Sequence, residues 1–199
     1  MILIQENHEE MNKKMDNNHN REVPYAKPQP GDSIVVKHIV DTFERSVILM
    51  VDFMRSIPGF VQLHKNDQAE LLKGSHSDFF LLGEINTSIN CDFRKTTENE
   101  YKFPVHHLYS KSKLQDVYKF IAKSKELIIS KEEITLLRAI AVLSTDRVDL
   151  QESAKVEEMQ WLCVNSLRLF LFKAHANPNQ RLWQLLERIT SLRTLLPDY

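Results

Sequence analysis

The residues of this chain that could carry out chemistry are few and widely spaced. Cys91 and Cys163 lack metal-ligand spacing with any histidine, and the pair His106-His107 has no partner four residues away on a helix. A glycine-rich phosphate loop, an HExxH motif and a GxSxG motif are all missing, and the chain has only four glycines. We therefore predict no catalytic residue, no metal ligand and no enzymatic activity.

The composition predicts an intracellular globular protein. With 199 residues, 42% of them hydrophobic and 27% charged, the chain is long enough for one well-packed domain. The net charge of −1 argues against a surface that neutralises many phosphates. No apolar stretch approaches the roughly 20 residues that cross a bilayer, and the N-terminus is acidic where a signal peptide would be basic. We expect no membrane partner.

Apolar periodicity predicts helices from residue 34 onward. Residues at three- and four-residue steps predict a long helix from Ile34 to Ile57, which Pro58-Gly59 must end. Asp67 and Glu70 are typical of a capping box for the next helix, which runs to about residue 85. Residues 1–32 are polar and interrupted by prolines, which predicts a disordered tail. The segment 86–112 is irregular and favours a loop or short hairpin.

The second half of the chain repeats the helical pattern. Further helices are predicted at 114–128, at 131–143 behind a capping box formed by Ser130 and Glu133, at 156–171, and at 182–195. Residues 79–85 and 134–143 are apolar on most sides, so other helices should cover both of their faces. The expected architecture is an all-α domain with three layers of helices.

Four segments resemble the signatures of a nuclear-receptor ligand-binding domain. They are FMRSIPGF at 53–60, DQAELLK at 67–73, LSTDR at 143–147 and LLERITSLR at 185–193. The amino-acid sequences of these segments are similar to those of the group containing the peroxisome proliferator-activated, Rev-erb and retinoid-related orphan receptors. The resemblance implies a three-layer antiparallel helical sandwich over residues 33–199, with 1–32 as a hinge-like tail.

The functional implication is a domain of a transcription factor in the nucleus that binds ligand, coregulators and a dimer partner. The alternative is a ligand-independent, dominant-negative interaction module of the same fold, with its pocket filled by side chains.

The chain ends before the activation helix of the family, so we expect it to bind corepressor-type helical peptides better than coactivator-type ones. DNA recognition in this family uses a zinc module with eight cysteines, which two cysteines cannot build.

The resemblance also implies a coregulator groove between the first two helices. Its basic cap falls on Arg55 or Lys73, and its apolar floor falls on Val51, Ala69 and Leu72. The alternative is that the two basic side chains are ordinary solvated charges on amphipathic helices.

For the ligand, the resemblance places contacts on six apolar residues, Val36, Ile39, Val40, Phe43, Phe80 and Leu81. They predict a small lipophilic ligand, although the same residues could simply form core. Fatty-acid-binding relatives have a hydroxyl and a histidine where this chain has Phe43 and Ser77, and many relatives have an arginine where it has Gly83. The haem-ligating position of related receptors falls on Tyr199, so we expect no haem and no other cofactor.

The dimer surface implied by the resemblance lies on the last helix. It comprises the polar residues Arg181, Gln184, Arg188, Ser191 and Arg193. The partner would be a retinoid X receptor-like domain or a second copy of this chain, and solvated charges are again the alternative. Arg147 is expected to hold its turn through Glu132 or Glu133.

Overall fold

The computed structural model describes residues 33–86 and 111–195. Six α-helices and one short 3-10 helix, η1, make up this part of the chain: α1 Ser33–Arg55, η1 Phe60–Gln62, α2 Lys65–Glu84, α3 Lys111–Lys125, α4 Lys131–Val142, α5 Ser153–Ala174 and α6 Pro178–Leu195. The predicted tail at 1–32, Cys91, nearly all of the segment 86–112 with His106-His107, and Tyr199 lie outside the described residues.

The predicted stop after the first helix is confirmed. α1 ends at Arg55, and the Ile57 N–H donates to the Met54 carbonyl at 3.0 Å in the following turn. Gly59 has φ 92°, a conformation that side chains other than hydrogen tolerate poorly. The chain therefore reverses at Pro58-Gly59 and enters η1.

The predicted cap of the second helix was wrong. α2 begins at Lys65, and the Nδ1 atom of His64 accepts a hydrogen bond from the Asn66 N–H at 3.3 Å. Asp67 instead lies inside the first turn and is buried, because its carboxylate accepts hydrogen bonds from two backbone amides of a distant loop. A local capping pattern cannot show such a long-range partner.

The capping box at the start of α4 is confirmed. The Ser130 hydroxyl accepts from the Glu133 N–H at 3.2 Å, and the Glu133 carboxylate accepts from the Ser130 N–H at 2.8 Å. The preceding helix ends earlier than predicted, at Lys125. Ile128 follows in a turn with φ 48°.

The helices pack in three layers, as predicted. α2, α4 and α5 form the middle layer, since α2 packs against α4 and α4 packs against α5. α1 covers α2 on one side, while α6 packs against α2, α4 and α5 on the other side and also contacts α3. The core between these layers is apolar, with fully buried residues on five helices, including Phe53, Phe79, Leu137, Leu167 and Leu185.

The fold is all-α, and no strand occurs in the described ranges. The rings of Phe53 on α1 and Phe79 on α2 lie 5.0 Å apart, which fixes the outer layer on the middle one. No helix between residues 33 and 86 or 111 and 195 is long and apolar enough to cross a bilayer. α1 thus packs against α2, and the turn at Pro58-Gly59 with η1 connects the end of α1 to the start of α2.

Candidate functional site

The candidate coregulator groove lies at the junction of α1 and α2. Val51 and Arg55 are one helical turn apart at the end of α1, where Val51 is half-buried and Arg55 is exposed. On α2, Ala69, Leu72 and Lys73 share one face, with Leu72 half-buried and the other two exposed. Two basic residues therefore accompany a partly buried apolar surface on two helices that pack together.

Lys73 is engaged within its own helix. Its Nζ atom lies 2.6 Å from Glu70 Oε1, and both side chains are well exposed. Such a surface pair is weak, about 0.3–0.5 kcal/mol, so an incoming peptide carbonyl can replace it. Arg55 is the last residue of α1, where the helix dipole favours a positive charge.

The junction itself is held by contacts across the molecule. Asp67 accepts from the backbone N–H groups of Gln151 and Glu152 at 3.0 and 2.9 Å. In return, the His64 N–H donates to the Glu152 carboxylate at 2.7 Å. The side chain of Gln68 donates to the Leu63 carbonyl at 2.8 Å, which closes the loop before α2. The start of α2 is therefore fixed to the start of α5.

The predicted ligand residues do not form one buried set. Val40 and Phe43 on α1 are 46% and 50% exposed, and Phe80 on α2 is half-buried. Leu81 is part of the core, because it points about 100° around the helix from Phe80. The side chains of Val36 and Ile39 lie outside those that the structure describes. Of the four residues whose side chains are described, Val40, Phe43 and Phe80 are thus the accessible ones.

Sequence reasoning missed two polar residues in this region. Ser46 on α1 and His76 on α2 form a hydrogen bond, and the ring of His76 contacts both Phe43 and Phe80. Helical spacing could have found them. Ser46 lies three residues after Phe43, and His76 lies four residues before Phe80, so each polar residue shares a face with a predicted ligand contact.

Arg138 on α4 is a third residue that the sequence reasoning missed. It is fully buried, its Nε atom donates to the Phe79 carbonyl at 2.9 Å, and its guanidinium lies 4.4 Å above the Phe79 ring. Burial lowers the pKa of Arg138, and the charge of Glu84 opposes that shift. A Cβ atom added at Gly83 would lie 1.4 Å from Arg138 Nη2, so the glycine makes the space that the guanidinium fills.

A small cavity lies away from the predicted ligand residues. It has a volume of about 360 Å³ and is found between the α1–α2 junction and the first turns of α5. Its walls are formed by Gly59, Gln62, Leu63, Lys155, Glu158 and Met159. We assign no ligand to it.

The three arginines predicted for the dimer surface are bonded within the domain. Arg181 forms a pair of 2.7 Å contacts with the buried carboxylate of Glu133, and its Nη1 donates to the Leu127 carbonyl at 2.9 Å.

Arg188 is buried and pairs with Glu187 at 2.9 Å. Arg193 pairs with Asp146 and also donates to Ser144. Gln184 and Ser191 are half-exposed. Arg181 and Arg193 have partners on other elements, which helical spacing does not show, and the dimer role of the three arginines stays a prediction.

The predicted partner of Arg147 was also wrong. Arg147 Nη1 lies 3.2 Å from Asp78 on α2, and its Nη2 donates to the Arg193 carbonyl at 3.3 Å. Glu133, one of the two residues expected to hold it, pairs with Arg181 and lies 3.1 Å from His175 Nε2. Burial raises the pKa of Asp78 by more than the charges of Arg147 and Arg193 lower it.

An exposed apolar surface lies on α5 and α6. Five large hydrophobic side chains on these two contacting helices are more than half exposed: Trp161, Leu162, Leu169, Phe172 and Trp183. Four of them recur along α5 at helical spacing. A stripe of exposed apolar residues is typical of a surface that takes part in an interaction.

The described residues hold no group of acidic, histidine or cysteine side chains that could bind a metal ion. Cys163 is buried in the core, and burial raises the pKa of its thiol to about 11. It is therefore an unreactive packing residue.

The described helices form a three-layer sandwich whose α1–α2 junction carries basic and apolar residues, the arrangement expected of a helical receptor domain. The comparison with known families agrees. Residues 27–199 match the family described as the ligand-binding domain of nuclear hormone receptor. The chain belongs to this family, whose members are not enzymes.

Named relatives lie in the same group of receptors. The chain is 31% identical over 177 residues to the vitamin D3 receptor of Xenopus laevis, covering 85% of this chain and 42% of that protein. It is 27% identical over 175 residues to nuclear receptor subfamily 1 group D member 2 of Rattus norvegicus, covering 86% and 30%. The vitamin D3 receptor of Coturnix japonica is 29% identical over 173 residues, covering 83% and 38%. The chain thus spans less than half the length of these relatives.

Domains of this family bind small lipophilic ligands, bind coregulators and dimerise. The predicted membership of the receptor family is confirmed. Which residues of this chain serve these roles stays a prediction.

Proposed function

We propose that this domain regulates transcription in the nucleus by presenting a coregulator groove that responds to a small lipophilic ligand. The domain would run over residues 33–199, with 1–32 as a hinge-like tail, and DNA recognition would require a zinc module that this chain does not contain. The observation that supports the proposal most is the pair of basic residues, Arg55 and Lys73, beside the half-buried apolar floor at the α1–α2 junction.

The groove has the features that an amphipathic helix requires. The leucines of a bound helix would pack against Val51 and Leu72, and the last carbonyls of that helix would receive hydrogen bonds from Arg55 or Lys73. The hydrogen bonds of Asp67 fix the start of α2 to the segment before α5 without a ligand. The groove is therefore formed before a peptide arrives, which reduces the entropy that binding loses.

Peptide titration tests this assignment. Fluorescence anisotropy with a coactivator-type LxxLL peptide and a corepressor-type helical peptide should detect binding to the purified domain. We expect Arg55→Ala or Lys73→Ala to weaken binding by about fivefold to thirtyfold, the equivalent of roughly 1–2 kcal/mol. Lys65→Ala is the matched control, because Lys65 is equally exposed on α2 but lies two turns from Lys73. If the wild type and all variants bind the peptides equally, the peptide-binding groove is not at the α1–α2 junction.

We also infer that the ligand contacts Val40, Phe43 and Phe80, which remain accessible on the facing sides of α1 and α2. The burial of Leu81 supports the second candidate, a ligand-independent module whose interior is filled by side chains. Native mass spectrometry of the purified domain separates the two. A co-purified lipophilic molecule supports the receptor, and a bare domain that still binds peptide supports the module.

For dimerisation, we propose that the exposed stripe on α5 and the neighbouring Trp183, together with Gln184 and Ser191, contact a retinoid X receptor-like domain or a second copy of this chain. The apolar character of Trp161, Leu169 and Phe172 supports this surface, since aromatic residues dominate the energetic centres of protein interfaces.

A further inference from the structure

We propose that Ser46 and His76 form a polar anchor for the hydroxyl group of a neutral lipophilic ligand. This inference rests on the ligand-binding function proposed above and adds the chemistry of the ligand to it. The anchor and its surroundings consist of four side chains on α1 and α2, those of Phe43, Ser46, His76 and Phe80.

The imidazole of His76 lies among residues already assigned to the ligand. Its ring centroid is 4.7 Å from that of Phe43 and 4.8 Å from that of Phe80, with tilted ring planes in both cases. Its Nε2 atom is 3.2 Å from the Ser46 hydroxyl oxygen. A polar pair therefore stands within the accessible apolar surface that Val40, Phe43 and Phe80 provide.

The hydrogen bonds determine which nitrogen carries the proton. The Ser46 hydroxyl has one hydrogen, and it donates that hydrogen to the Phe43 carbonyl at 2.6 Å. Toward His76, the Ser46 oxygen can therefore only accept. The Nε2 atom of His76 must carry a hydrogen and donate it.

The imidazole is neutral in this setting. Burial lowers the pKa of His76 below its usual 6.5, because an apolar environment disfavours the charged ring. A neutral ring with hydrogen on Nε2 has a lone pair on Nδ1. No described residue donates a hydrogen bond to that atom.

An acceptor surrounded by aromatic rings selects the chemistry of its partner. A ligand hydroxyl can donate to Nδ1, whereas a ketone or an ether offers only lone pairs. A carboxylate would also bring lone pairs and would need a protonated imidazole, which burial resists. The site therefore fits an alcohol with an apolar body better than it fits a fatty acid.

Three matched probes test the anchor on the whole domain: 1-decanol, decyl methyl ether and decanoate. The alcohol and the ether share an apolar chain, but only the alcohol has a donor. We expect 1-decanol to bind about threefold to tenfold more tightly than the ether, the range that one hydrogen bond provides. In ¹⁵N spectra of histidine-labelled domain, 1-decanol should move the His76 Nδ1 resonance and the ether should not.

Two variants and a control connect the preference to His76. His76→Phe keeps an aromatic ring between Phe43 and Phe80 but removes the acceptor, so the alcohol and the ether should bind equally. His76→Gln offers an amide N–H to Ser46 and an amide oxygen to the ligand, so it should retain part of the preference. Ser77→Ala, at the adjacent half-exposed position, should retain it.

The outcomes separate this proposal from the wider function. Equal binding of the alcohol and the ether to the wild-type domain, with shifts of the Phe43 and Phe80 resonances, would overturn the anchor and leave the ligand site standing. Tighter binding of decanoate would overturn it as well. If no probe shifts the Phe43 and Phe80 resonances, the anchor is also wrong. This result is expected if a second copy of the chain covers the two rings. The coregulator function would still be judged by the peptide assay.

Discussion

Single buried carboxylates determine much of how this domain holds together at the residue scale. Asp67 is 1% exposed and accepts two backbone hydrogen bonds from residues 84 and 85 positions away in sequence. Without it, the amides of Gln151 and Glu152 would be left without their partner. The carboxylate therefore connects the α1–α2 junction to the residues just before α5.

We predict that Asp67→Ala lowers the free energy of unfolding by about 2–4 kcal/mol, because two charge-assisted hydrogen bonds disappear and two amides lose their acceptor. Urea denaturation followed by circular dichroism measures the change. Glu70→Ala on the same helix is the control and should cost less than about 0.5 kcal/mol, since its pair with Lys73 is exposed. Similar costs for both variants would contradict the assignment.

Glu133 makes the free energy of unfolding depend on pH. Burial by itself would raise the pKa of this carboxyl, but hydrogen bonds from Arg181 and from the Ser130 N–H, with the charges of Arg181 and His175, bring it below the usual 4.5. A lowered pKa in the folded state means that the unfolded chain binds the proton more tightly. The contribution to stability is therefore complete above about pH 4.5 and is lost as the pH falls through the lower value.

We predict that Glu133→Gln destabilises the domain by about 3 kcal/mol at neutral pH, because it leaves the Arg181 guanidinium without its charge partner. The difference from wild type should shrink as the pH falls below 4.5. Denaturation midpoints measured across this range provide the test. A difference that stays constant with pH would show that the ion pair is not the cause.

At the scale of elements, the contact between α2 and α4 depends on one glycine and one arginine. The Arg138 guanidinium occupies the space beside Gly83, and neither of its Nη atoms has a hydrogen-bond partner in the described residues. It stacks on Phe79 and bonds to the Phe79 carbonyl. The two helices can approach only while residue 83 has no side chain.

We predict strong coupling between these two positions. Gly83→Ala should cost more than about 3 kcal/mol, because a methyl group at 1.4 Å forces a fully buried guanidinium to move. Arg138→Ala vacates the same space, so adding Gly83→Ala to it should cost less than about 1 kcal/mol. Unfolding free energies of the wild type, both single variants and the double variant complete the cycle. Additive costs would mean that the two residues do not compete for space.

At the scale of the whole molecule, we propose that the surface of α5 and α6 governs how the domain associates. The arginines of α6 face inward, and the exposed positions of α5 carry Trp161, Leu169 and Phe172. Association through this face would therefore be driven by apolar contact, with weak dependence on salt.

We predict that Leu169→Glu raises the dissociation constant of a dimer, whether with a second copy or with a retinoid X receptor-like domain, by about tenfold or more. Light scattering after size-exclusion chromatography measures it. Lys173→Glu changes charge on the same exposed helix without removing apolar area and should have a smaller effect. If the two variants behave alike, electrostatics rather than the apolar stripe governs the contact.

The sequence by itself determined the family, the helical layers and the local helix signals. FMRSIPGF and DQAELLK placed the α1–α2 junction, and the reversal at Pro58-Gly59 and the Ser130–Glu133 capping box were correct. These features depend on residues within a few positions of one another. Their physics is therefore contained in short segments of the chain.

Only the tertiary structure decided the partners of the buried polar residues. Arg181 meets Glu133 across 48 positions, Arg147 meets Asp78 across 69, and Ser46 meets His76 across 30. Helical periodicity shows which face of a helix is apolar, but it does not show which charge on another helix will face a given arginine. That pairing depends on how three layers pack, because a buried charge is stable only where the fold brings its partner to it.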